Sequence, residues 1–132
     1  MKTKILALLV AAMTSHAWAE PDAALERQRA LAVQHEHDAA TRVDYYAKQT
    51  IIAETDLATA QIVIDMAVTQ RQEAQRANDA KAAGYWTQRH RAALADQRDA
   101  QARIARFRAE RDRARADFEA SAADVRRLRV RG

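Results

Sequence analysis

The sequence predicts an all-α protein, a long antiparallel helical hairpin packed like a coiled coil. Three observations carry this. Helix breakers are nearly absent, with two glycines and one proline in 132 residues, while alanine, arginine and glutamine abound; these are helix-favouring residues, and glycine and proline the strongest disfavouring ones. Small and apolar residues recur at heptad spacing along two long stretches, the mark of a narrow helix-on-helix seam. Charge is also divided. Residues 20–83 carry seven Lys/Arg and eleven Asp/Glu, a net of −4, whereas residues 84–132 carry thirteen Arg and seven Asp/Glu, a net of +6. An acidic arm followed by a basic arm favours folding back on itself. Each exposed ion pair contributes only ~0.2–1 kcal/mol, so the charges select a pairing more than they supply stability.

The first element is a leader. Met1-Lys2-Thr3-Lys4 is a short basic start, Ile5–Met13 is apolar, and Ala17-Trp18-Ala19 is a small-x-small cleavage pattern. This three-part anatomy is that of a secretory signal peptide, residues 1–19, cut before Glu20. Its apolar run is shorter than the ~20 residues needed to cross a bilayer. The remaining chain, residues 20–132, is long enough for a single domain. It contains no cysteine, which removes a disulfide framework, thiolate chemistry and a lipid-modified cysteine at the cleavage site.

The first long helix is expected over residues 22–82. Pro21 beside Asp22 suits its start, since proline is tolerated in the first turn and a carboxylate favours the positive end of the helix dipole. Thr41-x-x-Asp44 resembles a capping pattern and suggests a break near residues 38–41. On this helix Val43, Thr50, Leu57 and Ile64 form one heptad row, and Tyr46, Ala53, Ala60, Ala67 and Ala74 the neighbouring one.

The turn is expected within Asn78–Gly84, because Asn and Gly both accept the left-handed conformation that ends helices. A hairpin folded about Gly84 is the preferred pairing. It sets Ile64 opposite Ile104, Thr50 opposite Phe118, Val43 opposite Val125 and Leu57 against Arg111. Turning at Asn78-Asp79 instead shifts every pair by about eleven residues, three helical turns, and keeps the same faces together.

The second helix is expected over residues 86–130, with Thr87 as its N-terminal cap. Its rows are Trp86, Ala93, Ala100, Phe107, Ala114, Ser121 and Leu128, and His90, Gln97, Ile104, Arg111, Phe118 and Val125.

Apolar residues exceed what this seam needs. Ile51, Ile52, Ile62, Val63, Met66 and Val68 surround the middle of the first helix. Dimerisation into a four-helix assembly, docking of another protein, or a wider intramolecular seam would each bury them. Tyr85-Trp86, next to Gly84, either plugs the end of the seam or forms an aromatic tip. Tyr45-Tyr46 is explained by packing, and His90 by a place on the apolar stripe.

The basic residues fall in two groups. Those from Arg103 to Arg115 interleave with Glu110 and Asp112 as a salt-bridged face does. Arg126, Arg127, Arg129 and Arg131 form a purer run. It either offsets the dipole at a helix C-terminus or meets an anionic envelope surface. Nucleic acid is not an expected partner of an exported chain.

His35-Glu36-His37-Asp38 is the one cluster with metal-ligand composition. Two residues apart on a helix point about 200° away from each other, so His35 and His37 share an ion only if the segment unwinds. No serine, histidine and acid are arranged as a nucleophilic site, no phosphate-cradling glycine loop is present, and no paired acid sits in an apolar setting.

In leader, size and helical content the chain resembles small exported bacterial helical proteins, periplasmic stress adaptors among them; that resemblance points to no functional residue. The expected role is a non-enzymatic interaction protein of the envelope, structural or chaperone-like, without cofactor, whose partner is an envelope protein or a second copy; its expected place is the periplasm, with the cell exterior as the alternative. A periplasmic metal-binding or metal-stress protein using His35 and His37 is the alternative.

Overall fold

The computed structural model describes the backbone of residues 2–131 and the side chains of residues 22–131; the expected leader, residues 1–19, lies outside the residues described in full. Two helices account for nearly all of the chain: α1, Lys2–Arg76, and α2, Ala80–Val130. They pack against each other as an all-α helical hairpin. None of the described helices is long and apolar enough to cross a membrane.

The turn sits at Asn78-Asp79, not at Gly84. Asn78 has φ 55°, the left-handed conformation that asparagine tolerates better than most residues. Around it the Asp79 N–H donates to the Ala74 carbonyl at 2.9 Å and the Asn78 N–H to the Gln75 carbonyl at 3.1 Å. This pair of bonds is the Schellman closure of a helix C-terminus. Asp79 then caps the next helix, its Oδ1 accepting from the Ala82 N–H at 2.9 Å. Two adjacent residues thus satisfy the end of α1 and the start of α2.

Gly84 lies inside α2 without a positive φ. A helix tolerates a glycine at a cost of about 1 kcal/mol, less than the combined gain of the Asn-Asp caps. Thr87, expected as a cap, is also interior and donates its hydroxyl to the Ala83 carbonyl at 2.8 Å. The first helix therefore ends at Arg76 rather than near residue 82, and the second begins at Ala80 rather than near residue 86; nor does the first begin at residue 22, since its backbone is helical from Lys2 on, proline at 21 being carried within it.

The expected break near residues 38–41 does not occur, since α1 runs through it. No glycine or proline interrupts this stretch, and Ala39 is fully buried, so the helical path keeps it on the seam. Asp44 acts as a helix-surface ion-pair partner of Lys48 at 2.6 Å.

The chain divides into two compact units, one of residues 41–114 and one of residues 1–40 with 115–132. In the first, the buried residues are Thr50, Ala53, Ala60, Ile64, Ala67 and Ala74 from α1, and Ala93, Ala100, Ile104 and Ala114 from α2. All stand on the heptad rows. Alanine in so many of these positions lets the two backbones approach closely. Larger residues fill the margins: Tyr46 stacks on Phe107 with ring centroids 6.4 Å apart, and the Arg106 guanidinium lies 4.9 Å from the Phe107 ring centroid. Thr50, buried, donates its hydroxyl to the Tyr46 carbonyl at 2.8 Å.

Polar pairs across the seam fix the alignment. Gln97 Nε2 donates to Gln61 Oε1 at 2.8 Å, Arg103 pairs with Asp56 at 2.9 Å, and Arg108 with Glu54 at 2.8 Å. Each joins the acidic arm to the basic arm. The alignment is the one set by an Asn78-Asp79 turn, so the Gly84-based pairings of Ile64 with Ile104, Thr50 with Phe118, Val43 with Val125 and Leu57 with Arg111 are all displaced. Arg103 also holds Asp99 at 2.8 Å. Its pKa is raised, first by the Asp56 hydrogen bond; partial desolvation opposes this and Asp99 adds to it.

In the other unit Ala32, Ala39 and Val125 are buried, with Leu25, Phe118, Ser121 and Leu128 half-buried beside them. Arg29 reaches across to the end of α2 and donates to the Leu128 carbonyl from Nε at 3.2 Å and from a terminal nitrogen at 3.1 Å. The last carbonyls of a helix lack intrahelical donors, and this guanidinium supplies one of them with two.

Candidate interaction surfaces

The side of α1 turned away from its seam in the 41–114 unit stands out among the described residues. Ile51, Ile52, Ile62 and Met66 are exposed, with Ile62 at 68% and Ile51 at 62%. Side chains at 51, 55, 58, 62, 66 and 69 recur at spacings of four and three, so they lie on one side of the helix. Their identities are Ile, Thr, Ala, Ile, Met and Thr. Ile52, Thr59 and Val63 flank this row. The row itself holds no charge between Lys48 and Glu73, while Glu54 and Asp65 stand along its other edge.

The threonines strengthen the apolar character. Thr55 donates its hydroxyl to the Ile51 carbonyl at 3.0 Å, Thr59 to the Thr55 carbonyl at 3.0 Å and Thr69 to the Asp65 carbonyl at 3.1 Å. The hydroxyls are committed to their own helix backbone. The methyl groups are what the surface offers.

Of the cluster expected here, Ile51, Ile52, Ile62 and Met66 are well exposed, whereas Val63 and Val68 are half-buried at the edge of the seam. Thr55, Ala58, Thr59 and Thr69 escaped sequence reasoning because threonine and alanine read as neutral. Their four-three spacing in line with Ile51 and Ile62 is the signal that finds them.

The outer side of α2 contrasts with this. Exposed Arg91, Arg98, Arg106 and Arg113 alternate there with alanines. A cleft of about 240 Å³ near the seam gathers Asp56, Asp96 and Asp99 around Arg103, whose guanidinium already answers two of these carboxylates.

Tyr85 and Trp86 do not form a tip. They stand on α2 beyond its first turn, with ring centroids 5.0 Å apart. Tyr85 is exposed at 55% and Trp86 is half-buried on the stripe, as is His90.

The terminal arginines belong to the other unit. Arg126, Arg127, Arg129 and Arg131 are all exposed, but they do not form one patch. Arg127 and Arg131, one turn apart, share a side of α2, while Arg126 and Arg129 point elsewhere. Arg127 is paired with Asp124. Arg127 and Arg131 line an open groove of about 350 Å³ with Gln28, Leu31, His35 and Leu128.

His35 and His37 are exposed on a continuous stretch of α1, so their rings project to different sides and do not converge on a common point. Among the described residues no group of three His, Cys, Asp or Glu is placed to hold a metal ion.

Comparison with protein families, with curated proteins and with solved structures finds no match to this chain.

Proposed function

We propose that this chain is an exported, periplasmic, non-enzymatic adaptor of the cell envelope, structural or chaperone-like in action, which works by docking a second helix on the outer face of α1. The observation that carries this is the uncharged row Ile51-Thr55-Ala58-Ile62-Met66-Thr69. Single exposed apolar residues are ordinary on protein surfaces, but a contiguous helical stripe of them marks an interaction site. Its residues stand at helix-packing spacing, so its natural complement is another amphipathic helix. The basic leader and small-x-small pattern at residues 1–19 support export, and the exposed arginines Arg126, Arg127, Arg129 and Arg131 support a second contact with anionic envelope surfaces.

Site-specific photo-crosslinking in envelope preparations tests the docking face. A crosslinker replacing Ile62 is expected to give a discrete adduct, and one replacing exposed Ala102 on α2 is not. Equal labelling from both positions, or none from Ile62, would remove the support for docking at this face. Fractionation of cells expressing the full chain tests export, with recovery in the periplasmic fraction at a mass reduced by the leader as the expected result.

A further inference from the structure

We infer that the helix docked on α1 is α1 of a second copy, running antiparallel about a twofold axis that passes the docking face at the height of residues 60–61. The inference rests on the docking role of this face and names its occupant.

The row from Ile51 to Thr69 covers five turns, ~27 Å along the axis at 1.5 Å per residue. Each end is bracketed by a pair of opposite charges. Asp44 and Lys48 precede the row, joined by an ion pair at 2.6 Å. Glu73 and Arg76 follow it. The two brackets are complementary when one copy is reversed. An axis at the height of residues 60–61 sets Lys48 level with Glu73 of the second copy and Asp44 level with Arg76 of the second copy, and by symmetry each pair occurs twice. The same axis lays Ile62 against the Ala58–Ile62 segment of the second copy and Ile51 against its Thr69 and Gln70. Isoleucine then meets threonine methyls and alanine, a large-against-small alternation that interdigitates.

A parallel pairing gives the opposite electrostatics. It sets Lys48 beside Lys48, Asp44 beside Asp44 and Glu73 beside Glu73, like against like. The outer side of α2 is no rival, since Arg91, Arg98, Arg106 and Arg113 would bring cations together. The same axis also brings Asp65 near Glu54 of the second copy along one edge of the face, where Arg108 already pairs with Glu54, so the four attractive bracket contacts set the orientation of the α1 face.

The chain contains no cysteine, so single introduced thiols read the geometry directly. In the antiparallel dimer the two copies of position 48 stand ~38 Å apart, 25 residues at 1.5 Å each, while position 48 of one copy adjoins position 73 of the other. Mixing full chains carrying Lys48→Cys and Glu73→Cys under mild oxidation is expected to give the mixed disulfide in preference to either self-coupled product. Sedimentation equilibrium is expected to show the unmodified chain as a dimer. Ile51→Lys with Ile62→Lys is expected to leave helical ellipticity intact and weaken the dimer by at least tenfold. Lys48→Glu alone is expected to weaken it, and Lys48→Glu with Glu73→Lys to restore it, because exchanging both charges recreates the pair.

Rapid self-coupling of Lys48→Cys chains would overturn the antiparallel arrangement, as would a doubly exchanged variant no better than the single one. A monomer at roughly 100 μM, a concentration at which even a micromolar dimer is formed, would overturn the inference as a whole. If such a monomer still gave an adduct with an envelope protein from position 62, the docking function would stand with a different occupant. If it gave none, both would fall.

Discussion

Gly84→Ala and Asn78→Ala should move stability in opposite directions, and the size of the difference follows from the turn. Gly84 is helical, exposed and open around the position of a Cβ, with no atom within 4 Å of it. Alanine there gains about 0.8–1 kcal/mol of helix propensity with no steric penalty. Asn78 holds φ 55°, where alanine costs ~1 kcal/mol more than asparagine or glycine because its Cβ crowds the following carbonyl. The two variants should therefore differ by about 2 kcal/mol, with the parent between them. For a chain of this size that corresponds to a spread in Tm of roughly 6–10 °C. Thermal unfolding followed by circular dichroism at 222 nm, at one fixed protein concentration, measures it; the fixed concentration matters because self-association raises apparent stability by mass action. If Gly84→Ala lowered Tm and Asn78→Ala left it unchanged, the chain would be turning at Gly84 and the seam would be aligned about eleven residues away from the arrangement described.

Other substitutions probe the rest of the molecule. Asp79→Ala removes the acceptor for the Ala82 N–H and should cost about 1 kcal/mol in urea unfolding. Ala100→Leu forces a large side chain into a fully buried alanine site and should cost about 1–3 kcal/mol. Ile104→Ala, at a position 8% exposed, should cost ~2–4 kcal/mol through lost burial and cavity formation. Arg29→Ala strips the donors from the Leu128 carbonyl and should cost ~1 kcal/mol, with hydrogen exchange accelerating chiefly in the last turns of α2. Thr59→Val exchanges a hydroxyl already bound to its own helix for a methyl, and should leave the monomer within ~0.5 kcal/mol of the parent while tightening self-association in sedimentation.

The seam was legible in the sequence because its rows repeat every seven residues. Thr50, Ala53, Ala60, Ile64, Ala67, Ala100, Ile104 and Val125 are all buried as their spacing implies. The division of charge also carried through, in the pairs of Asp56 with Arg103 and Glu54 with Arg108. The turn was harder to place for a physical reason. An alanine-rich seam fits equally well after a slide of three helical turns, so packing did not choose between Gly84 and Asn78-Asp79. Local hydrogen bonding chose. The backbone closure around Asn78 and the Asp79 cap act together, and each residue alone is an unremarkable surface polar group. The docking row was half visible: Ile51, Ile62 and Met66 stand out by hydropathy, but Thr55, Thr59 and Thr69 become apolar only once their hydroxyls are seen bonded inward. The double hydrogen bond from Arg29 to Leu128 joins residues ninety-nine apart and depends on the alignment of the arms, so no local pattern announced it.

The alanine seam has a mechanical consequence. Small, repeating side chains act as a smooth track, on which one helix meets low barriers to sliding along the other. What prevents sliding in the 41–114 unit is the short covalent link at Ala77–Asp79 together with a few polar latches, Gln61 to Gln97, Asp56 to Arg103 and Glu54 to Arg108. Cutting the backbone between Asn78 and Asp79 would remove the stop while leaving the track. The two fragments should then still associate, but as a mixture of alignments a few turns apart, with the share of each set by salt concentration acting on the latches.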